Sequence, residues 1–268
     1  MSRRPSTPEP PRRLRDHVRT APGFLGRFRA KAWEDFVVMS VEALRQAAAI
    51  LHVRGLPVDH QVAGYWGEGR HEVLGTPVRL PLENGITDPL VRALAIVRAK
   101  ADKSHPLRKL QIAVAQQQPR ETQNRVGSRA LTTDIRIWSL AIAHLDLRIE
   151  AKVLFDGQDA AGYCGPDGLL RFSDPEPYTD QPVGMMIGYS VRRPDSYWAD
   201  AILRYVDDHP PVLRATELLL GNENALATSS TSHATGEVLV VHMIIPFETD
   251  PSARELDAAR AGGEGRRP

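Results

Sequence analysis

The chain has 268 residues, of which 42% are hydrophobic, and 34 Lys and Arg residues nearly balance 33 Asp and Glu residues, for a formal net charge of +1. No run approaches the roughly 20 consecutive apolar residues of a transmembrane helix, and the single Cys164 excludes an internal disulfide and a cysteine zinc site. We therefore expect a soluble globular protein with no membrane partner. The N-terminus has no apolar segment typical of a secretory signal, so the expected compartment is the cytoplasm.

Basic residues are concentrated at the start of the chain. Residues 1–31 contain nine Lys and Arg residues against two acidic residues and are rich in Pro, which predicts a basic disordered arm. Such an arm can bind nucleic acid through phosphate contacts, and a solvated tail explains the same residues equally well. The Ala-, Gly- and Arg-rich segment 249–268 is also expected to be disordered. The candidate contacts of the arm are Arg12, Arg13 and Arg15.

An N-terminal unit is expected over residues 32–82, ahead of a main domain over 83–248. Helical spacing of apolar residues predicts an amphipathic helix over 33–53. Gly and Pro residues in 55–82 indicate a loop with short strands. The main domain then begins with a helix that Thr87 is predicted to cap.

Alternating apolar and polar residues predict three strands in the first half of this domain. These strands span 110–115, 133–139 and 146–155. A short helix follows at 168–172, and the run 183–190 is apolar on both faces, as is typical of a central buried strand. A helix from Ser196 and a hairpin over 228–234 and 237–247 complete the order. This order predicts an α/β protein, a three-layer sandwich around a mixed sheet with an additional N-terminal helix.

The second and third strands bring two acidic residues together. A hairpin centred on Ile142 places Asp134 directly opposite Glu150 on the polar face, with Cβ atoms about 5 Å apart. Opposed carboxylates repel, so their pairing indicates a divalent cation between them, and hard oxygen ligands favour Mg²⁺. Lys152, on the same face, would orient a water molecule or offset charge on a phosphate. A solvated charged face is the alternative explanation.

The motifs Thr133-Asp134-Ile135 and Glu150-Ala151-Lys152 resemble those of the PD-(D/E)xK nuclease superfamily, which includes many restriction endonucleases. The order of elements over 84–190 is also similar to that superfamily's core, although Thr133 stands where the family pattern has Pro. The resemblance implies a restriction-endonuclease-like core in which the acidic pair binds Mg²⁺ or Mn²⁺ and Lys152 assists attack of water on a phosphodiester. It further implies a metal ligand at the first core helix, best matched by Glu83.

The segment 168–189 and the strand that contains His242 look like uncharacterised nuclease-like proteins of bacterial defence loci. We therefore expect a metal-dependent DNA endonuclease that acts in antiviral defence, with RNA left open as a substrate because the metal chemistry is the same. Cutting both strands of a duplex favours a homodimer or a subunit of a defence complex. A catalytically silent subunit for nucleic-acid binding or assembly, with the same fold, is the alternative.

Four further residues have two explanations each. Arg171 on the short helix can contact a phosphate or form a surface salt bridge. His233, near a run of Ser and Thr, can contact a phosphate or end a polar strand, and a tight turn would pair it with Val238. His242 is expected to be a hydrogen-bonded core residue. Cys164 lacks a partnering His signature and is expected to be a turn cysteine rather than a nucleophile.

Overall fold

The computed structural model describes residues 11–20, 27–54, 71–73, 76–78, 82–120, 131–155, 159–173, 177–190, 193–209, 213–232 and 236–247. Within these ranges it contains six α-helices, one 3₁₀ helix and ten strands. None of these helices is both long enough and apolar enough to span a membrane.

The elements follow one another as mixed helices and strands. The α-helices are α1 (Leu14–Thr20), α2 (Arg27–Arg54), α3 (Glu83–Lys100), α4 (Pro106–Lys109), α5 (Asp159–Cys164) and α6 (Asp195–Asp207). The strands are β1 (Arg12–Arg13), β2 (His71–Val73), β3 (Thr76–Val78), β4 (Ile112–Arg120), β5 (Leu131–Ser139), β6 (Asp146–Leu154), β7 (Val183–Ser190), β8 (Leu213–Leu220), β9 (Glu223–Ser232) and β10 (Gly236–Pro246). The 3₁₀ helix spans Leu169–Phe172.

Eight strands form one mixed sheet in the order β1-β8-β9-β10-β7-β6-β5-β4. Strand β7 is parallel to both neighbours, β10 and β6, whereas β4, β5 and β6 pair antiparallel. Every residue of β7 is buried, as its two apolar faces predict. The expected α/β class and mixed sheet are therefore confirmed. Strands β2 and β3 form a separate two-stranded sheet, in the segment where short strands were expected.

Helices cover the large sheet on both faces, which gives the three layers that the sequence predicts. On one face α1, α2 and α3 pack on the sheet, with Trp33, Phe36 and Leu90 almost fully buried. On the other face α5, the 3₁₀ helix and α6 pack on it, with Phe172 and Trp198 buried. Each layer follows from the spacing of apolar residues, since a helix must bury its apolar stripe against the sheet.

The prediction of a disordered arm over 1–31 is wrong for the part of it that the structure describes. Backbone pairing joins β1 to β8, and α1 buries Leu14 and Val18 completely. These two residues are four positions apart and therefore share one face of a helix. Helix α2 also begins earlier than expected, at Arg27. The predicted tail 249–268 lies outside the described residues.

Two further elements differ from the sequence prediction. Helix α3 begins at Glu83, so Thr87 does not cap it; instead the buried Thr87 hydroxyl forms a 2.9 Å hydrogen bond with the Tyr189 hydroxyl. Strand β8 was not predicted, because its Leu-rich sequence lacks strict alternation. Pairing with β9 and β1 establishes β8 as a strand.

Candidate functional site

The register of the β5–β6 hairpin determines which side chains meet. The strands pair antiparallel with Ile135 opposite Ile149, which is the register of a hairpin centred on Ile142. Continued by one residue, this register sets Asp134 across from Glu150. The carboxyl groups of Asp134 and Glu150 affect each other's pKa, so the predicted juxtaposition of the two acidic residues is confirmed.

The regular β5–β6 ladder ends at this point. Beyond the Ile135–Ile149 pair, β5 continues along β4 and β6 continues along β7. The backbone N–H of Ala151 donates a 2.7 Å hydrogen bond to Asp134 Oδ2. A side-chain oxygen of β5 therefore satisfies a β6 donor that lies just past the paired segment, which keeps Asp134 at the opening between the strands.

The Lys152 ammonium connects the two strands to the start of α3. Its Nζ donates to Glu150 Oε1 at 2.6 Å and to Glu83 Oε2 at 3.4 Å. Glu83 is the first residue of α3, so the beginning of this helix faces the opening between β5 and β6. The structure thus brings together all four residues that the sequence identified for the site: Glu83, Asp134, Glu150 and Lys152.

The charged face of β6 is largely buried. Glu150 is 4% exposed and Arg148 is 7% exposed, while the side chains of Lys152 and Glu83 are 23% and 29% exposed. Helix α5 packs on this side of β6. A solvated strand face is therefore the wrong explanation for these residues, and each buried charge needs a partner.

Burial and crowding raise the pKa values of the acidic residues. Burial, followed by the nearby charge of Asp134, raises the pKa of Glu150 from 4.5 to about 8, although Lys152 opposes the shift. Burial likewise raises the pKa of Glu83 from 4.5 to about 7 and that of Asp134, whose pKa the Ala151 N–H works to lower. Burial alone would lower the pKa of Lys152, but Glu150 and Glu83 outweigh it and the net shift is upward. One ammonium is thus insufficient to keep three carboxylates ionised.

The residue types of this cluster fit a divalent cation. Among the described residues, the buried Glu150 Oε2 has no hydrogen-bond partner, and carboxylate oxygens are the ligands that Mg²⁺ prefers. Glu83, Asp134 and Glu150 would be its ligands. In the described part of the chain, however, no three acidic, His or Cys side chains are already arranged around one point as ligands.

Residues that the sequence analysis did not assign also support the site. Gln117 of β4 has a φ of +47°, which is uncommon for a residue other than Gly and is frequent near functional sites. Its side chain donates a 3.1 Å hydrogen bond to Asn84 Oδ1, and the neighbouring Gln116 donates to Asp88. These two bonds tie β4 to the beginning of α3 and so position Glu83. A run of glutamines carries no sequence signal for this role.

Tyr178 lies beside the acidic cluster in the segment that leads into β7. It is 7% exposed, and its ring packs edge-on against Phe172. Burial, and then the charge of Glu150, raises the pKa of its hydroxyl. In the sequence, only the resemblance of the surrounding segment to nuclease-like proteins pointed to Tyr178. No residue pattern predicted that it lies beside the acidic cluster.

Arg171 is engaged within its own loop. Its Nε donates to the Pro166 carbonyl at 2.8 Å and its Nη2 bonds Asp167 Oδ1 at 3.2 Å. The salt-bridge explanation of Arg171 is therefore confirmed, while its predicted phosphate contact stays a prediction. His233 lies outside the described residues. Val238, its predicted strand partner, pairs with Ser230 instead.

The arginines of the N-terminal segment lie far from the acidic cluster. Arg12 and Arg13 are in β1, at the sheet edge, and β8, β9, β10 and β7 separate this strand from β6. Arg15 lies 4.0 Å from Glu34 of α2. At about 4.8 Å per strand, β1 and β6 are roughly 24 Å apart. The structure therefore does not bring Arg12, Arg13 and Arg15 into the site.

The two remaining candidates are buried in the core, as expected for His242, whereas Cys164, expected in a turn, is instead the last residue of α5. The Tyr163 hydroxyl contacts His242 Nδ1 at 2.9 Å, and the Thr228 hydroxyl contacts Nε2 at 3.0 Å. Burial lowers the pKa of His242 to about 3, so its ring is neutral. Burial also raises the pKa of Cys164 to about 12, which keeps its sulfur a thiol and unsuitable as a nucleophile.

Comparison with known proteins adds no identification. No family model matches the chain, and no curated protein and no solved structure is detectably similar to it. The fold and the geometry of the acidic cluster are therefore the basis for a functional assignment.

Proposed function

We propose that this protein is a metal-dependent nuclease of the PD-(D/E)xK type that hydrolyses phosphodiester bonds in DNA. One observation carries the proposal: Asp134 and Glu150 oppose each other where β5 and β6 part, and the Lys152 ammonium links Glu150 to Glu83. These are the residues that the resemblance to PD-(D/E)xK nucleases implies for the site. The restriction-endonuclease-like core belongs to the same proposal.

The electrostatics of the cluster support a bound cation. Glu83, Asp134 and Glu150 outnumber Lys152 by two negative charges when all are ionised, and without a cation the cluster compensates through raised carboxyl pKa values. Strongly perturbed pKa values with specific charged partners are typical of functional sites. Mg²⁺ or Mn²⁺ would restore the charge balance and would be bound by Asp134 and Glu150, with Glu83 as a third ligand.

Each protein residue then has a definable task. A bound divalent cation would polarise the scissile phosphate and lower the pKa of a water molecule. Asp134 is held in place by the Ala151 N–H, and Glu150 by the pairing of β6 with β7. The Lys152 ammonium, already at the surface of the cluster, would orient the attacking water and offset negative charge on the phosphate.

The biological setting follows from the same resemblance. The protein would act in the cytoplasm in defence against foreign DNA. A single acidic cluster cuts one strand at a time, so duplex cleavage calls for a homodimer or for a second nuclease subunit in a defence complex. RNA would be hydrolysed by the same chemistry.

A second candidate function is a catalytically silent subunit that binds nucleic acid or assembles with other proteins. The observation that favours it is the contact between Lys152 Nζ and Glu150 Oε1 at 2.6 Å. A buried ion pair of this kind also occurs purely as structure, where it stabilises little. Such a subunit would keep the fold and bind no divalent cation at the cluster.

The deciding experiment is incubation of the purified full chain with supercoiled plasmid, linear DNA and RNA in Mg²⁺, Mn²⁺ or EDTA. Glu150→Gln keeps the side-chain shape and removes the charge, and Glu217→Gln, at an exposed position of β8, is the matched control. Cleavage that requires metal and is lost only in Glu150→Gln would establish the nuclease. A folded protein that cleaves no substrate and shows no metal binding by calorimetry would favour the silent subunit.

A further inference from the structure

A strip of basic and aromatic side chains extends from the acidic cluster along the same face of the sheet. Because side chains alternate along a strand, Arg136 and Trp138 follow Asp134 on one face of β5. Across the hairpin, Arg148 is opposite Arg136 and Asp146 is opposite Trp138. We call Arg136, Trp138 and Arg148 the Arg–Trp strip.

The strip is held in a defined geometry. Arg136 Nε and Nη2 bond the two oxygens of Asp146 at 2.9 and 3.0 Å, and Arg148 Nε lies 3.5 Å from the same carboxylate. The Arg136 guanidinium also lies over the Trp138 ring, 4.6 Å from its centroid. The guanidinium and the indole are therefore pre-ordered, which lowers the entropic cost of binding a ligand.

The surroundings leave this part of the face accessible. Strand β4 presents the small residues Ala113 and Ala115 next to Trp138 and Arg136. Among the described helices of this layer, α5 packs on β6 and α6 packs on β8 and β10, away from β4 and β5. The Arg136 side chain is 28% exposed and Trp138 is half-buried. Both side chains thus reach solvent beside the cluster.

The charges of the face are segregated along the hairpin. The end with Glu83, Asp134 and Glu150 is acidic and suits a cation. Further along the same face, the two arginines of the strip share the carboxylate of Asp146. Arg136 and Arg148 oppose each other across the ladder, and the Asp146 carboxylate lies within reach of both guanidinium groups. A guanidinium next to an indole is the combination that binds a phosphate and a stacked base of single-stranded nucleic acid.

From this arrangement we infer that the Arg–Trp strip binds the strand entering the acidic cluster as an unpaired single strand, with a phosphate on Arg136 and a base stacked on Trp138. The inference rests on the proposed function for the role of the cluster. Bases of an intact duplex are stacked on each other and cannot stack on Trp138, so the substrate is a single strand or a locally melted one. The chemistry is common to DNA and RNA.

Binding is measured by fluorescence anisotropy of the full chain in EDTA, with labelled oligothymidylate and oligouridylate of about 12 nucleotides and a duplex of the same length. Each titration is repeated between about 50 and 200 mM salt. Tryptophan emission is recorded in parallel, since Trp33 and Trp198 are fully buried and Trp138 is not; the Trp138→Leu variant separates the emission of Trp138 from that of Trp66, which lies outside the described residues. The matched control is Arg98→Gln, which removes an exposed charge from α3 on the opposite layer.

The expected result is tighter binding of a single strand than of the duplex, with quenching of tryptophan emission. Arg136→Gln should weaken single-strand binding at least about fivefold and reduce the slope of log affinity against log salt by about 0.7. Trp138→Leu should weaken it at least about fivefold and abolish the quenching, whereas Trp138→Phe should retain most of the affinity. Arg98→Gln should change neither quantity.

The inference is overturned if the wild-type chain binds no single strand at low salt, or binds the duplex as tightly without quenching. It is also overturned if Arg136→Gln matches Arg98→Gln in affinity and salt slope. Should Arg136→Gln fail to fold, equal affinities of Trp138→Leu and Trp138→Phe would overturn it. If the protein binds single strands but cleaves no substrate in any metal, the nuclease proposal is refuted and the inference about the Arg–Trp strip stands. If the protein cleaves and no strip variant affects cleavage, the inference is refuted and the nuclease proposal stands.

Discussion

The backbone N–H of Ala151 donates to Asp134 Oδ2 at 2.7 Å, just where strands β5 and β6 cease to pair with each other. This bond fills a main-chain position with a side chain, so that Asp134 is positioned by the sheet itself. Where the strands part, the Lys152 ammonium contacts both Glu150 and Glu83, the first residue of α3. An interruption of the ladder thus creates the site.

Replacing Asp134 with Asn tests the separation of structure from metal binding. The amide oxygen can still accept the Ala151 N–H, so we expect the melting temperature to change little. Affinity for Mn²⁺ and cleavage should both fall at least about 100-fold, because even outer-shell partners of metal sites contribute 10- to 100-fold. Calorimetry and plasmid nicking measure the two effects, with Asp200→Asn, exposed on α6, as control. An inactive Asp200→Asn would contradict the assignment.

Lys152→Met should uncouple metal binding from catalysis. Removing the ammonium that lies 2.6 Å from Glu150 eliminates the charge that competes with a cation, so Mn²⁺ should bind at least as tightly as in the wild type. Cleavage should nevertheless fall by about 100-fold or more, since one general catalytic group contributes about 10²- to 10⁴-fold. Weaker metal binding together with retained cleavage would show that Lys152 has a different role.

The stability of the metal-free protein should decrease as pH rises. Glu150 and Glu83 have folded pKa values of about 8 and about 7, against 4.5 ordinarily, so the folded state retains protons that the unfolded chain releases. The free energy of unfolding should therefore be highest near pH 4.5 and fall towards pH 8, by up to about 1.4 kcal/mol per pH unit for each group.

Urea unfolding across this range measures the pH effect. Glu150→Gln, which cannot ionise, should show a shallower decline than the wild type. Mg²⁺ should also reduce the decline, because it stabilises the deprotonated cluster. Parallel pH profiles for the wild type and Glu150→Gln in EDTA would argue against the raised pKa.

Tyr163→Phe should affect stability and leave activity unchanged. It removes the 2.9 Å contact with His242 Nδ1 and leaves a buried ring nitrogen without that partner, which costs about 1–3 kcal/mol. The free energy of unfolding in urea provides the measurement. Loss of metal-dependent cleavage in a folded Tyr163→Phe protein would mean that His242 takes part in catalysis.

Leu14→Ala should destabilise the fold, because Leu14, the first residue of α1, is fully buried. A cavity of this kind costs about 2–5 kcal/mol, whereas Arg13→Gln, at an exposed position next to it, should stay within about 0.5 kcal/mol. Thermal unfolding compares the two variants. Equal melting temperatures would restore the view of residues 11–20 as a dispensable arm.

Local patterns in the sequence determined most of the elements and the hairpin register. The alternation of apolar residues in 133–139 and 146–155 is enough to predict that Asp134 opposes Glu150, since a slip of one residue would turn every apolar side chain away from the core. The double-sided apolar run of 183–190 likewise predicts a buried central strand. Helix α1 could not be predicted in this way because two apolar residues in seven are too short a pattern. Strand β8 could not be predicted because its Leu-rich sequence favours a helix until pairing with β9 and β1 outweighs that preference.

Only the tertiary structure decided what surrounds the acidic pair. Long-range packing buries Glu150, the Lys152 ammonium links Glu83 to the pair, and the contacts of Gln116 and Gln117 hold the start of α3 against β4. The same packing leaves Arg136 and Trp138 partly exposed beside the cluster. Sequence spacing specifies which face a side chain takes, whereas burial, pKa and the meeting of distant elements depend on long-range contacts that no local pattern contains.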